Sequence, residues 1–468
     1  MTTENCRKAT IVKTPTLSNE RNSPKEVNGA MVDTATTEQT SLLGSQRHIY
    51  IATIEGVTAD FNIQEAISKV KANRGAPGID NITTEEIDEV MKEQWPKIKK
   101  EILEGSYYPK PVRRVEIEKP DGSGMRKLGI PTVLDRIIQQ AVLQEIIFVF
   151  EPTFSDSSFG FRPGRKAHQA VIKAREYLQE GYEWVVDIDL EKFFDMVNHD
   201  MLMARIARKV KDKKLLLLIR RFLQAGVMEN GLTSFSDMGT PQGGPISPLL
   251  SNIMLDDFDK ELERRGHRFC RYADDCNIYV KSEKAGKRVM ESLTKYLTET
   301  LKLKVNLEKS AVDRPCNRKF LGFTFGKDRK TNQIKVHPSR IKRFKDGVRK
   351  LIKKCRGNKI LEVIKKDVIP NVRGWINYFK LAYEPRVFPN LDAWIRRKIR
   401  CAYWEQWKTS KRRFKELMAL GAKRKEARNI IASGKGAWRI SRTYCMQSAL
   451  GNKKLEMMGL IPLMTMMS

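Results

Sequence analysis

The stretch FCRYADDCNIYV, residues 269–280, sets two adjacent acids, Asp274 and Asp275, between two short apolar segments. The segments read as the arms of a β-hairpin with the acids at its turn. An Asp-Asp pair ordinarily marks a solvated turn, but these flanks are apolar enough to be buried. Burying like charges side by side is costly unless a cation lies between them. A divalent metal would settle the repulsion.

A second acid-bearing strand comes earlier. WVVDIDLEKFFD, residues 184–195, holds Asp187, Asp189 and Asp195. Strand alternation puts Asp187 and Asp189 on one face, so periodicity does not choose between them. Carboxylates from two separate strands, with no histidine or cysteine among them, are hard oxygen ligands suited to Mg²⁺, which also takes substrate phosphates and water. Two such ions about 3.5–4 Å apart serve in-line phosphoryl displacement, a chemistry shared by polymerases and nucleases.

Working outward, TTEEIDEVMKEQWPKIKKEILEG (83–105) opens with a Thr83/Glu86 capping-box spacing and stops at Gly105, predicting a helix kinked at Pro96. VRRVEIEKPDGSGMRKLGIP (112–131) alternates on both sides of a Gly-rich turn, predicting a hairpin with Lys119 and Arg126 beside its tip. EWVVDIDL (183–190) reads as a strand. SPLLSNIMLDDFDKELERRG (247–266) reads as a helix with Ser247 as cap, Pro248 at its first position and Gly266 as stop. The order of elements predicts an α+β domain built on an antiparallel sheet.

The bulk composition agrees with a multidomain globular chain: 468 residues, 41% hydrophobic. The formal charge of +31 points to nucleic acid or an anionic surface, and it is unevenly placed. Residues 326–468 hold 37 Lys/Arg against 10 Asp/Glu, leaving a net of only +4 for the first 325 residues. Seven cysteines without a CxxC pair imply reduced thiols and no zinc module, and the five histidines form no ligand cluster. The longest apolar run, IIQQAVLQEIIFVF (137–150), is broken by glutamines and a glutamate, so no membrane span is expected. Residues 1–48 read as a disordered tail with neither a secretory nor a transit signal.

YADD (272–275), DIDLEKFFD (187–195), GTPQGGPISPLLSNIMLDD (239–257), FGFRPGR (159–165), LKLKVNLEKS (301–310) and FLGF (320–323) resemble, in order and spacing, the motif blocks of reverse transcriptases. RGAPGID (74–80), VRRVEIEKPDG (112–122) and RGWINYF (373–379) narrow the resemblance to group II intron-encoded reverse transcriptases, or maturases, from about residue 60 onward. The resemblance implies a right-hand polymerase, with fingers and palm on an antiparallel sheet followed by an all-helical basic thumb. It selects Asp189, with Asp274 and Asp275, as ligands of two Mg²⁺ ions, for which Mn²⁺ could substitute, and leaves Asp187 structural. It places Phe194 under the sugar of the incoming nucleotide, selecting dNTP over rNTP. Lys119 and Arg126 would hold the triphosphate, Gln242 would lie in the loop beside the nascent base pair, and Lys309 would neutralise or protonate the leaving pyrophosphate. FLGF would be the primer-gripping turn.

In the basic tail Leu391, Trp394, Ile395, Ile399 and Ala402 recur at helical spacing, so most of its five tryptophans are expected in a helical core. Its bases outnumber its acids nearly four to one, which phosphate neutralisation explains better than a solvated face. Arg373, Arg396, Arg397, Lys398, Arg400, Lys411, Arg412 and Arg413 are the candidate nucleic-acid contacts. The expected division is a tail (1–48), a helical extension (49–110), fingers and palm (111–325), thumb or maturase segment (326–400) and a basic DNA-binding region (401–468). The implied partners are intron RNA, an RNA template with a DNA primer, dNTPs and target DNA, in a cytoplasmic ribonucleoprotein without membrane contact. Many members of the family continue into a His-Asn-His endonuclease with paired cysteines. This chain shows neither, which resembles the group IIC subset. The rival readings are a non-enzymatic RNA chaperone, against which the three intact acids speak, and a retron or diversity-generating reverse transcriptase, against which the RGWINYF tail speaks.

Overall fold

The computed structural model describes residues 50–118, 124–229, 232–234, 238–239, 243–328 and 331–466. Among them are the strands β1 (Val112–Glu118), β2 (Met125–Ile130), β3 (Trp184–Ile188), β4 (Val227–Glu229), β5 (Leu232–Ser234), β6 (Arg268–Tyr272), β7 (Asp275–Val280), β8 (Ala311–Asp313), β9 (Phe323–Phe325) and β10 (Ile334–Val336). A four-stranded palm sheet runs β6-β7-β3-β8, antiparallel throughout. A second sheet runs β2-β1-β4-β5. There β1 pairs antiparallel with β2 but parallel with β4, a mixed sheet where the sequence predicts only antiparallel pairing.

Period-two alternation sorts the palm strands between two cores. Val186 and Ile188 of β3, Phe269 of β6 and Cys276 and Ile278 of β7 face the first core, which also buries the helices Val133–Phe150 and Ser247–Arg264. Val185, Cys270 and Tyr279 face the second, which joins the palm to the helices Ala167–Gln179, Pro338–Lys353, Ile369–Phe379 and Val387–Gln406. Asp187 and Asn277, opposite one another in the ladder, lie on this second face, and Asp189 and Asp275 continue the same alternation. A third, smaller core gathers Trp404, Trp407, Leu417, Ala427 and Met446. Leu455, Leu460 and Leu463 turn back onto the second core, so the end of the chain packs against the thumb helices.

Local differences from the sequence reading have simple causes. Thr83 and Glu86 do form the predicted reciprocal contact, with Thr83 N–H and hydroxyl each 2.8 Å from Glu86 Oε2, but it closes a turn and the helix begins at Ile87. That helix runs unbroken through Pro96 to Gly105, whose φ of +73° provides the left-handed cap. Ser247 is the first helical residue and Ile246 the cap. Gln139, Gln144 and Glu145 are buried in a helix of the palm core and Gln140 is half-buried, and among the described residues no helix is long and apolar enough to cross a membrane. Six described cysteines are free, with Cys316 the one not buried.

Candidate active site

The hairpin of β6 and β7 forms as expected, with Tyr272 paired to Asp275 and Ala273-Asp274 as its turn. The turn is held from behind by charges the sequence does not advertise. Arg271 is fully buried, points toward the helix Ser247–Arg264, and grips the equally buried Asp259 with Nε–Oδ1 at 2.7 Å and Nη2–Oδ2 at 2.5 Å. Its remaining nitrogen, Nη1, donates to Asn252 Oδ1 at 3.0 Å and to the Ala273 carbonyl at 2.9 Å. Ala273 sits at φ +59°, a conformation that L-residues adopt only when their surroundings hold them there. The segment FGF (159–161) closes the other side: Phe159 N–H donates to the Arg271 carbonyl, Asn252 donates to the Gly160 carbonyl, and a Cβ on Gly160 would fall 2.2 Å from Ala273 N. Only glycine fits at 160.

Across the ladder the two candidate acids of the first strand are separated by a third partner. Arg318 donates to Asp187 Oδ2 at 2.9 and 2.6 Å and to the Lys309 carbonyl at 2.6 Å, so Asp187 is committed to an ion pair. Asp189 lies one residue past β3, fixed through its backbone to Ser310 Oγ at 3.0 Å and to Asn306 N–H at 2.8 Å, and its carboxylate has no hydrogen-bond partner among the described residues. Burial raises its pKa, Lys309 opposes that, and the charge of Asp274 adds to it. Asp275 is exposed, yet protein packed around it strips much of its hydration. That loss, with the charges of Asp274, Asp187 and Asp189, pushes its carboxyl up to about 7. Like charges are therefore within electrostatic reach of one another, with Lys319 the cation that offsets them at both Asp189 and Asp275.

Among the described residues no three His, Cys, Asp or Glu side chains are drawn close enough to grip a metal by themselves. The donor chemistry still fits a hard divalent cation: every candidate ligand is a carboxylate oxygen, their mutual repulsion is what a cation relieves, and the exposure of Asp275 leaves room for phosphate and water.

The other sequence-predicted residues divide three ways. Lys119 and Gln242 lie outside the described residues, and of Arg126 only the backbone, paired with Ile117 in β1/β2, is described. Phe193 is buried and Phe194 half-buried, their rings edge to face at 5.3 Å, just after Lys192 at φ +47°. In the loop after Gln242, Gly243 is constrained by the protein itself, since a Cβ there would meet the Gly129 carbonyl at 2.5 Å, while one on Gly244 would meet only the movable end of the Gln139 side chain.

The FLGF turn is tied to the thumb. Leu321 and Gly322 both have positive φ, the Leu321 carbonyl accepts from Tyr378 Oη at 2.8 Å, and Phe323 packs on Tyr378 and Phe379 of the RGWINYF helix. His168 donates from its ring to the Tyr378 carbonyl at 2.6 Å, adding a strut from the palm-side helix. Beside this turn a cleft of about 1340 Å³ is lined by Lys319, Arg340, Lys342, Arg343 and Lys350 with Trp375 and Tyr378, a basic wall with aromatic faces.

The tail requires a correction. Arg396 and Arg400 are buried, Arg396 against Glu456 at 3.5 Å and Arg400 donating to the Leu450 carbonyl at 2.9 Å and to Asn452. They tether the end of the chain and present no free charge to phosphate. Arg397 is bound to the Trp438 carbonyl at 2.8 Å and stacked 3.4 Å over its ring, with Lys398 on the same ring. Arg373, Lys411 and Arg412 are exposed, and Arg413 lies half-buried over Trp404. Trp375, Trp404 and Trp407 pack in the helical cores or against them, as the periodicity predicts, while Trp438 is the exposed one.

An antiparallel palm with acids on one face of two strands, a turn tied to the following helices and a basic helical thumb define a template-directed nucleotidyltransferase. Residues 117–325 match the family described as reverse transcriptase (RNA-dependent DNA polymerase), and residues 341–421 match the group II intron, maturase-specific domain. The chain is similar to Protein YkfC of Escherichia coli (strain K12), 33% identical over 53% of this chain and 76% of YkfC. It is similar to the group II intron-encoded protein LtrA of Lactococcus lactis subsp. cremoris, 42% identical over 42% of this chain and 32% of LtrA. It is also similar to the putative COX1/OXI3 intron 2 protein of Saccharomyces cerevisiae, 32% identical over 51% of this chain and 28% of that protein. The chain thus spans three quarters of the first relative and about a third of the other two. It belongs to the group II intron-encoded reverse transcriptases, RNA-directed DNA polymerases that carry a maturase-specific domain.

Proposed function

We propose that this chain extends a DNA primer on an RNA template with dNTPs, using two Mg²⁺ ions held by Asp189, Asp274 and Asp275, and that it binds its intron RNA to assist splicing and later copies that RNA at a DNA target. The single observation that supports the reading is that the charges of Asp189, Asp274 and Asp275 act on one another while Arg318 holds Asp187 in an ion pair. When bound, the ions would neutralise the carboxylates and favour the ionised primer hydroxyl. The chain's own residues supply the rest. Arg271 and Asp259 fix the turn that carries Asp274, Lys309 and Lys319 balance charge around Asp189, and Tyr378 holds the FLGF turn on which the primer would rest. Phe194 would exclude a 2′-hydroxyl, and Lys119, Arg126 and Gln242 would hold the nucleotide. Exposed Arg373, Lys411 and Arg412, with Lys398, would contact RNA or DNA phosphates in a cytoplasmic ribonucleoprotein, while 401–468 would serve the DNA target. Primer extension by Asp187→Asn and Asp189→Asn variants tests the assignment. Loss of cDNA with Asp189→Asn and retention with Asp187→Asn is expected, and the reverse pattern would overturn it.

A further inference from the structure

A second basic site lies on the palm, at the far end of the same hairpin from the acids. Arg268 opens β6 and is paired in the ladder with Tyr279, four residues from the Tyr272–Asp275 pair, which places it roughly 13 Å away at about 3.3 Å per residue. Here an open pocket of about 450 Å³ is lined by Tyr182, Arg265, Arg268, Tyr279, Lys281 and Arg288, from the open end of the hairpin, the cap of the helix Ser247–Arg264 and the helix Glu283–Glu299. Background charge does not explain this cluster, because the first 325 residues carry a net of only +4 against +31 for the whole chain.

The cations differ in how they are held. Arg265 is fixed by Glu261 at 2.7 Å and by Ser292 at 2.7 Å, and Arg268 has only a loose pair with Glu180 at 3.7 Å. Lys281 and Arg288 are exposed with no acidic partner among the described residues, Lys281 lying 5.7 Å from the centre of the Tyr182 ring. Tyr279 borders the same pocket but turns its ring into the second core against Tyr177, so the cations alone face the opening. Two anchored guanidinium groups and two exposed cations around one pocket suit the oxygens of a phosphodiester. Cations drawn together from several elements around one open pocket suit a backbone phosphate of a folded RNA.

We infer that this pocket on the back of the palm is a phosphate-docking site for structured RNA, separate from the polymerase cleft, with Lys281 and Arg288 as its exchangeable contacts. The inference rests on reading the chain as an intron-RNA-binding polymerase. The full chain and its Lys281→Ala/Arg288→Ala variant, matched in melting temperature, would be titrated with a fluorescein-labelled RNA hairpin across a range of salt. The slope of log affinity against log salt should fall by about 2 in the variant, near 1 per lost phosphate contact. Extension of a short primer–template should be unchanged. An unchanged slope with tight wild-type binding would overturn the site alone, whereas failure of the wild type to bind RNA would overturn the reading beneath it. Equal loss of short-template extension would overturn its separation from the cleft. Lys281- and Arg288-dependent binding of free GMP, with hairpin binding unaltered, would overturn the RNA assignment.

Discussion

Removing the Asp259 carboxylate should show how much the hidden clamp contributes. Arg271 and Asp259 are both fully buried and share two charge-assisted hydrogen bonds at 2.7 and 2.5 Å. Asp259→Ala leaves a buried guanidinium with only the Asn252 and Ala273 oxygens, a loss of about 3–5 kcal/mol for an orphaned charge in a protein interior. That is a large share of a typical folding stability of about 5–15 kcal/mol. The double variant Arg271→Met/Asp259→Leu separates the two jobs of the pair. Filling the site with apolar groups should restore most of the stability. Yet the Ala273 carbonyl and Asn252 lose their donor, and a turn displaced by about 1 Å at a reacting centre costs on the order of 10²-fold in rate. Urea unfolding followed by tryptophan fluorescence, beside primer extension, reads both quantities. A loss below about 1 kcal/mol in Asp259→Ala would refute the clamp. A double variant that regains stability and also copies RNA at full rate would refute its role in positioning the acids.

Three further outcomes are expected. Asp135 is 1% exposed, accepts from Tyr107 Oη at 2.8 Å and Thr132 Oγ at 2.7 Å, and burial raises its pKa from 3.8 to about 6. A carboxyl with a raised folded pKa favours the folded state when protonated, so its contribution is full below about pH 4 and is lost as pH rises through about 6, roughly 3 kcal/mol in all; Asp135→Asn should flatten that part of a stability-versus-pH curve. Gly160→Ala drives a methyl to 2.2 Å from Ala273 N, and extension should fall sharply in a protein that circular dichroism shows to be folded. Tyr378→Phe deletes the 2.8 Å bond to Leu321, and should cost about 0.5–1.5 kcal/mol and raise the primer concentration needed for half-maximal extension more than it lowers the maximal rate.

What the sequence displays and what it hides follow from where charges find their partners. Asp274 and Asp275 are conspicuous because like charges interrupt an apolar hairpin, and β3, β6 and β7 follow from local alternation. Arg271 looks like an ordinary polar residue of that alternation, and Asp259 like one more acid on a charged helix; only the tertiary fold joins them. Asp187 and Asp189 are equivalent by periodicity, and what separates them is Arg318, 131 residues further on. In the tail, abundance of charge misleads. Asp392, Arg396 and Arg400 recur every fourth residue along one helix and are all buried, a stripe whose acid was the available sign that this face turns inward. The mixed pairing of β1 with β4 has no local signal, since β4 and β5 are three residues each.

The most direct measurement is primer extension on an RNA template with dNTPs and Mg²⁺ by the wild type and by Asp274→Asn/Asp275→Asn, with RNA affinity measured in the same preparations. A wild type that makes cDNA beside a variant that binds RNA equally and makes none is the predicted result. Copying at undiminished rate by the variant, or RNA binding by both with copying by neither, would contradict the assignment of the hairpin acids.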